Sequence, residues 1–429
     1  MGYRIGRSGS PTHRALVTAA ALVVVVMPTP AWALLGDEIP PSAGSRVRAF
    51  LLGEPARTTS TAGDELAVGP EIAEARSRFP GMKLSRSLSR AARQCARFVV
   101  DEPGGPPYDF VEFALRWAGS ADLSPWLATV RTTEDDVAGV LDEVARKRAE
   151  RRDHADWLGL GRAATSQAPF RWVWVAIMVE RRLALDPVPR AVPPGETVTV
   201  VFRLGNSLHA PRLLHLDPTG GITRVTPKAA DNGFAADLTL GVETGEHRIE
   251  ILADGRFGPE VVALAPVWVG RDPPSSWVGP ARDPAPESIT ADGVAVRLLE
   301  LINAERRGHS LAPLHLDSAL VEAARRHSQD MATNGFFGHK SPRLGALGER
   351  LDAAGIRVLV AAENLSCSES VREAHDAIMG SPAHRANVLS PDFTHVGIGV
   401  AAENREGVRS WLITEDFMTP MPMAEPPKR

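Results

Sequence analysis

The sequence predicts a multidomain protein in which a middle β-sandwich separates two α+β units. The chain has 429 residues, which exceeds the ~100–200 residues of a typical single domain. Two proline-rich stretches, at residues 186–194 and 271–287, cannot continue a helix or a central strand and therefore mark boundaries. Strand-like alternation fills only the middle of the chain. The predicted divisions are a first unit at 62–185, a sandwich at 190–270, a proline-rich linker at 271–290 and a last unit at 292–418.

Composition and charge indicate a globular protein. Hydrophobic residues make up 44% of the chain and charged residues 23%, which is neither a disordered nor a collagen-like composition. The formal net charge is −4, and no basic surface of the kind that a phosphate backbone requires is indicated. We therefore expect no nucleic-acid partner.

The N-terminus has the pattern of a removable signal peptide at residues 1–33. Arg4, Arg7 and Arg14 form a positive region, Ala15 to Met27 is apolar, and an Ala-Trp-Ala cleavage motif ends at Ala33. The apolar run is shorter than the ~20 residues needed to span a bilayer. These features predict a secreted protein, extracellular or periplasmic, with no transmembrane segment after cleavage.

The chain has only two cysteines, Cys95 and Cys367. An exported protein could form a disulfide, but these residues lie in different predicted units. We expect two free, buried thiols, with a single bridge as the alternative.

The predicted sandwich rests on short strands separated by turn signals. Residues 197–204, 235–240 and 247–252 alternate or are rich in β-branched residues. Strands of this length over about eighty residues are typical of an immunoglobulin-like fold. A spacer is favoured over an adhesion or ligand-presenting unit, because the segment has no concentrated polar site.

The last unit alternates helices and strands. Asp292, Asp317 and Ser370 are predicted to cap three amphipathic helices. Helices on both faces of a small sheet would bury their apolar stripes. This predicts an α-β-α sandwich, with strands at 356–361, 394–400 and 410–415.

The sequence of the first unit indicates a degenerate copy of the last unit. Residues 84–96 align without gaps to residues 316–328, and share both leucines and an Ala-Ala-Arg run. Gly159 and Gly161 match Gly397 and Gly399. Landmarks that recur in one order favour a domain duplication over chance similarity.

Motifs of the last unit resemble those of the CAP superfamily, which comprises cysteine-rich secretory proteins, antigen 5 and pathogenesis-related 1 proteins, and specifically its bacterial branch. The resemblance implies a CAP (SCP) domain at 292–418 and a degenerate CAP-like unit at 62–185. The motifs are His327-Ser-Gln-Asp-Met-Ala-Thr-Asn-Gly-Phe-Phe-Gly-His-Lys-Ser-Pro342, Ala362-Glu-Asn-Leu365, Ser381-Pro-Ala-His-Arg-Ala-Asn387 and Gly397-Ile-Gly-Val400.

The same resemblance implies a cleft lined by His339, Glu363 and His384, with Ser381 where many eukaryotic members carry a second glutamate. Two imidazoles and a carboxylate could hold Zn²⁺ or another divalent cation with one position open, or could transfer protons. No cofactor is required by this interpretation. His327 lies on the apolar stripe of its helix and is predicted to be a core residue.

The favoured function is non-enzymatic. The resemblance implies a cleft that binds a lipid, sterol, glycan or peptide. A metal-dependent or Ser/His-type hydrolase, a protease or esterase using His339, Glu363, Ser381 and His384, is the first alternative. The motif around Ser381 has no nucleophile elbow. A structural or adhesion protein is the second alternative.

Overall fold

The computed structural model describes residues 49–66, 70–101, 105–150, 155–279, 289–405 and 408–422. The predicted signal peptide and residues 280–288 of the predicted linker lie outside these ranges. No helix in the described ranges combines the length and the apolar character needed to cross a membrane.

The first unit is a four-stranded sheet with helices on both faces. Successive residues of its last strand pack on opposite helix layers, because side chains alternate along a strand: Val175 faces two of the helices and Trp174 the other two. The elements are β1 (Ala49–Leu51), β2 (Thr58–Thr59), α1 (Pro70–Arg78), β3 (Lys83–Leu84), α2 (Arg86–Asp101), α3 (Tyr108–Ala118), β4 (Trp126–Thr132), α4 (Ala138–Glu150), β5 (Trp157–Ala164) and β6 (Trp172–Val179). The four-stranded sheet has the order β3-β5-β6-β4, and β1 and β2 lie outside it.

The middle unit consists of two sheets that enclose one apolar core. The sheet orders are β13-β14-β10-β7 and β12-β11-β15-β16-β9. The strands of these sheets are β7 (Leu183–Leu185), β9 (Ala191–Val192), β10 (Thr197–Leu204), β11 (His209–Leu216), β12 (Ile222–Val225), β13 (Lys228–Ala230), β14 (Gly233–Thr239), β15 (Gly245–Gly255) and β16 (Gly258–Val269). Two short strands, β8 (Val188–Pro189) and β17 (Ser276–Val278), lie outside both sheets.

Two predicted boundaries differ from the structure. The predicted first unit, residues 62–185, includes β7. In the structure β7 pairs with β10, and Leu183 and Leu185 are buried in the core of the middle unit. Within the predicted linker, β17 pairs with β1, and the Trp277 ring lies 5.3 Å from the Phe110 ring of the first unit. The linker therefore returns to the first unit, where the Trp277 side chain packs, partly buried, against the core.

The last unit has mixed α/β content in three layers. The sheet order is β18-β20-β21-β19. Ile413 packs towards α5 and α8, whereas Met418 packs towards α6 and α7. The elements are α5 (Ala291–Gly308), β18 (His315–Leu316), α6 (Ser318–Asn334), α7 (Leu347–Ala353), β19 (Val358–Ser368), α8 (Val371–Gly380), α9 (Pro382–Val388), β20 (His395–Arg405) and β21 (Val408–Pro420).

The helix caps of the last unit are partly those predicted. Asp317 and Ser370 accept hydrogen bonds from the first turns of α6 and α8. For α5 the cap is Thr290, whose Oγ1 accepts from the Gly293 amide at 3.1 Å. The prediction of Asp292 was wrong, because this residue lies inside the first turn, where its charge complements the helix dipole.

The cysteines form no disulfide. Cys95 is buried, as predicted, among the apolar residues of α2. Cys367 is exposed, and the prediction that it is buried was wrong. It lies one residue before the end of β19, beyond the buried run that ends at Ser366.

The four-stranded sheets of the first and last units share one strand order, β3-β5-β6-β4 in the first and β18-β20-β21-β19 in the last. In each sheet the short edge strand, β3 or β18, is parallel to its neighbour. In both sheets, glycines of the strand next to that short strand, β5 or β20, let a helix backbone approach closely. A Cβ at Gly399 would lie 2.1 Å from the Ala324 carbonyl carbon, and one at Gly161 would lie 2.1 Å from the Arg93 nitrogen.

We expect Gly399→Ala to lower the free energy of unfolding by about 1–3 kcal/mol, because the new methyl group must push α6 away from β20. Chemical denaturation measures the change. Gly348→Ala is the matched control, since Gly348 lies in α7 with no atom near its added Cβ. Equal stability of the two variants would contradict this account of the helix-strand contact.

Candidate functional site

His339 lies in the loop that follows α6. Gly335 caps the C-terminal end of the helix, and its φ of 64° is left-handed and suits glycine. The buried His327 ring donates from Nε2 to the Gly338 carbonyl at 3.1 Å. His327 is thus a core residue, as predicted, and it also fixes the loop that carries His339.

Glu363 lies on β19 and uses both carboxylate oxygens. Its Oε1 accepts from His339 Nδ1 at 2.8 Å, and its Oε2 accepts from the buried guanidinium of Arg350. Arg350 also donates to the His339 carbonyl at 3.0 Å and to the Gly345 carbonyl at 3.1 Å. The structure therefore brings His339 and Glu363 together, and Arg350 fixes both of them.

A second carboxyl group lies beside Glu363. Asp416 on β21 is the cross-strand partner of Glu363 and is fully buried. No N–H or hydroxyl of the described residues reaches its oxygens, and Glu363 is its neighbour across the strand pair. Burial, and then the charge of Glu363, raise the pKa of Asp416 well above its usual value. The raised pKa favours the neutral form of Asp416, which avoids a second buried negative charge beside Glu363.

Asn364 connects the sheet to α9. Its Nδ2 donates to the His384 carbonyl at 3.1 Å and to Glu415 Oε2 at 3.2 Å, and its Oδ1 accepts from Asn387 at 2.9 Å. The Glu-Asn-Leu motif therefore supplies a site carboxylate at one position and a positioning amide at the next.

His339 and His384 are close enough for their charges to interact. Burial, and then the charge of Arg350, lower the pKa of His339 to about 4. Burial, and then His339, lower the pKa of His384 to about 4. Both rings are therefore neutral at pH 7. Because Nδ1 of His339 donates to Glu363, its Nε2 is the acceptor nitrogen.

Ser381 does not contact the His384 ring through any hydrogen bond in the structure. Its hydroxyl accepts from the His384 backbone amide as the cap of α9, and it donates to Glu250 Oε2 at 2.5 Å. Glu250 belongs to β15 of the middle unit. The Ser381 hydroxyl thus donates to a carboxylate of the middle unit and not to the imidazole that would have to activate it.

As the structure places it, Glu363 is not free to ligate a metal ion beside His339 and His384. Across the described ranges, no three or more His, Cys, Asp or Glu side chains are grouped so that they could hold a metal ion. Both Glu363 oxygens are already engaged, so a metal would have to displace Arg350 or His339.

Sequence reasoning missed Arg350, Asp416 and Glu250. The two-residue period of β21 could have placed Asp416 on one face with Met418, but nothing in the sequence pairs it with Glu363. Arg350 and Glu250 lie in segments without a recognisable motif.

Comparisons with known proteins give the family of the last unit. The sequence model of the cysteine-rich secretory protein family (CAP) matches residues 299–415. The uncharacterized protein YkwD of Bacillus subtilis is 39% identical over 116 residues, which is 27% of this chain and 44% of that protein. The uncharacterized membrane protein YlbC of Bacillus subtilis is 35% identical over 105 residues, which is 24% of this chain and 30% of that protein.

A solved structure of an extracellular protein containing a SCP domain, from Bacillus anthracis str. Ames, is 18% identical and covers 65% of this chain and 91% of that chain, with a TM-score of 0.27. The chain spans 44% and 30% of the lengths of the two Bacillus subtilis relatives. The resemblance drawn from the motifs is confirmed by the family match. Residues 299–415 of this chain are a CAP domain of the cysteine-rich secretory protein family.

Proposed function

We propose that this protein is a secreted or envelope CAP protein whose cleft around His339, Glu363 and His384 binds a small or extended ligand without turning it over. The observation that carries the proposal is that the acidic and nucleophilic groups are already engaged. Glu363 is held by His339 and Arg350, and the Ser381 hydroxyl is held by Glu250. The neutral imidazoles remain to donate and accept hydrogen bonds.

The ligand class is a lipid, sterol, glycan or peptide. A ring nitrogen that is neutral at pH 7 suits hydroxyl and amide groups better than it suits carboxylates or phosphates, which favour a cationic partner. Export is supported by the signal-peptide pattern of residues 1–33 and by the description of the Bacillus anthracis protein as extracellular.

The first unit is, in this proposal, a degenerate CAP-like copy without a site. Its strand order and its helix-strand glycines match those of the CAP domain. No histidine lies at residues 106–108, the counterpart of the His339 loop, and residues 146–148 are basic where His384 would lie. The middle unit is proposed to be an immunoglobulin-like sandwich, given its two sheets around one core.

The proposal is tested by binding measurements on the mature full-length chain and on a His339→Ala, His384→Ala double variant. The probes are a fatty acid, a sterol, a chito-oligosaccharide and short peptides. We expect one class to bind saturably and the double variant to bind it about tenfold or more weakly, since two ring hydrogen bonds are lost.

Ester and peptide hydrolysis with and without Zn²⁺ tests the alternative on the same samples. We expect no turnover in either condition. Zn²⁺-dependent turnover that the double variant lacks would overturn the binding proposal in favour of the hydrolase.

A further inference from the structure

One hairpin of the middle unit contacts the CAP domain at three places. The hairpin is β15–β16, residues 245–269. Arg248 donates to the Gly380 carbonyl at 2.9 Å, Glu250 accepts from residues 381 and 383, and the Phe257 carbonyl accepts from the Lys340 amide at 2.7 Å. The first two contacts lie where α8 ends and α9 begins, and the third lies in the loop that carries His339.

Glu250 makes the tightest of these contacts. Its side chain is fully buried, and its two oxygens serve two donors: Oε2 accepts from the Ser381 hydroxyl at 2.5 Å, and Oε1 accepts from the Ala383 amide at 2.9 Å. These donors belong to the N-cap residue and to the second residue of α9, and His384 follows directly. The carboxyl group thus fixes the first turn of the helix that carries His384.

Burial of this carboxyl group is unfavourable by itself. Removing an ionised carboxylate from water is costly unless charges or hydrogen bonds offset the loss. Desolvation raises the pKa of Glu250 to about 7, while the bonds from Ser381 and Ala383 oppose that rise. An apolar residue at position 250 would fill the space at lower cost, but it would leave the start of α9 without these acceptors.

The tip of the hairpin holds the other histidine segment. A Cβ on Gly338 would lie 2.4 Å from the Phe257 Cβ, and the Phe257 ring lies 5.5 Å from the Phe336 ring. The backbone on either side of His339 therefore packs directly on the hairpin. The same pair of strands holds the segments of both His339 and His384.

We propose that Glu250 is a positioning residue for His384, and that the middle unit completes the cleft of the CAP domain. The inference rests on the proposed function only in naming this cleft as the binding site. It assigns the middle unit a role beyond that of a spacer, because its hairpin sets the relative placement of the two imidazoles. Residues 130 or more positions apart in sequence thereby act in one site.

The test measures modification of His384 by diethylpyrocarbonate, which reacts with neutral imidazole, in the full-length chain by mass spectrometry from pH 4 to pH 8. In Glu250→Ala we expect His384 to react about fivefold faster or more, since the first turn of α9 loses its acceptors. We also expect the midpoint of its pH profile to move from about 4 towards the ordinary value of about 6.5.

Two further variants separate positioning from general loss of stability. Glu250→Gln keeps a carbonyl acceptor and the side-chain shape, and should restore the rate to within about twofold of the wild type. Glu260→Ala removes a carboxylate of the same hairpin that pairs with Arg182 at 2.6 Å, and should leave His384 unaffected.

The proposal is overturned if folded Glu250→Ala reacts like the wild type, or if Glu250→Gln reacts as fast as Glu250→Ala. If Glu250→Ala does not fold, Ser381→Ala removes one of the two bonds from the CAP side, and an unchanged His384 rate in that variant overturns the proposal. No ligand enters this measurement, so a failed ligand screen would count against the proposed function and not against Glu250.

Discussion

Replacing Arg350 with methionine should lower the free energy of unfolding by about 3–5 kcal/mol, because it leaves the carboxylate of Glu363 buried without its cationic partner. Arg350 is 5% exposed, and it also donates to the carbonyls of His339 and Gly345. The variant should therefore loosen the His339 loop as well as destabilise the domain. Chemical denaturation at pH 7 gives the size of the loss.

A second substitution identifies the cause. Glu363→Gln removes the buried charge, so the double variant Arg350→Met, Glu363→Gln should recover part of the stability that Arg350→Met loses. Arg306 is the matched control: it is also buried, but it donates only to backbone carbonyls. Glu363→Gln should give no recovery in an Arg306→Met background. Equal behaviour in both backgrounds would show that the charge of Glu363 is not what Arg350 neutralises.

Replacing Glu415 with glutamine should stabilise the protein at pH 8 by about 3 kcal/mol, with the gain almost gone near pH 4.5. Glu415 is 1% exposed. It accepts from Asn364 through one oxygen, while the other has no partner. Burial raises its pKa to about 7. Glutamine keeps the shape and the acceptor for Asn364 but never ionises.

The sign follows from proton binding. Between about pH 4.5 and pH 7 the folded chain keeps the Glu415 proton while the unfolded chain has lost it, so wild-type stability falls as the pH rises through this window. The deficit is then constant above pH 7. The difference between variant and wild type isolates this group from the histidines, whose lowered pKa values act in the opposite direction below pH 6.5.

Denaturation curves at pH 4.5, 6 and 8 check this result. Glu322→Gln is the control, since Glu322 is exposed and paired with Arg325 and Arg326, which lower its pKa to about 2. It should show no gain at pH 8. A stability difference for Glu415→Gln that does not change between pH 4.5 and pH 8 would contradict the raised pKa.

Much of the local structure could be predicted from the sequence. The strand predicted at residues 197–204 is β10, Thr197–Leu204, and Asp317 caps α6 as expected. The motifs identified the CAP domain and gave His339, Glu363 and His384 as its candidate site residues. These signals are local, because a cap, an alternating strand or a short motif depends on residues within a few positions of one another.

Other features were decided only by the tertiary structure. Asp416 lies beside Glu363 because β19 and β21 pair in one register. Leu183 and Leu185 joined the middle unit because that unit buries them. The partner of the Ser381 hydroxyl, the candidate nucleophile, is the buried Glu250 of the middle unit.

The sequence by itself determined which segments become helices and strands and where the CAP domain lies, because each depends on neighbouring residues. The packing of the middle unit against the CAP domain decided the partners of polar groups such as the Ser381 hydroxyl. The partner and protonation state of a buried group depend on what is packed against it, and those contacts join residues far apart in the chain.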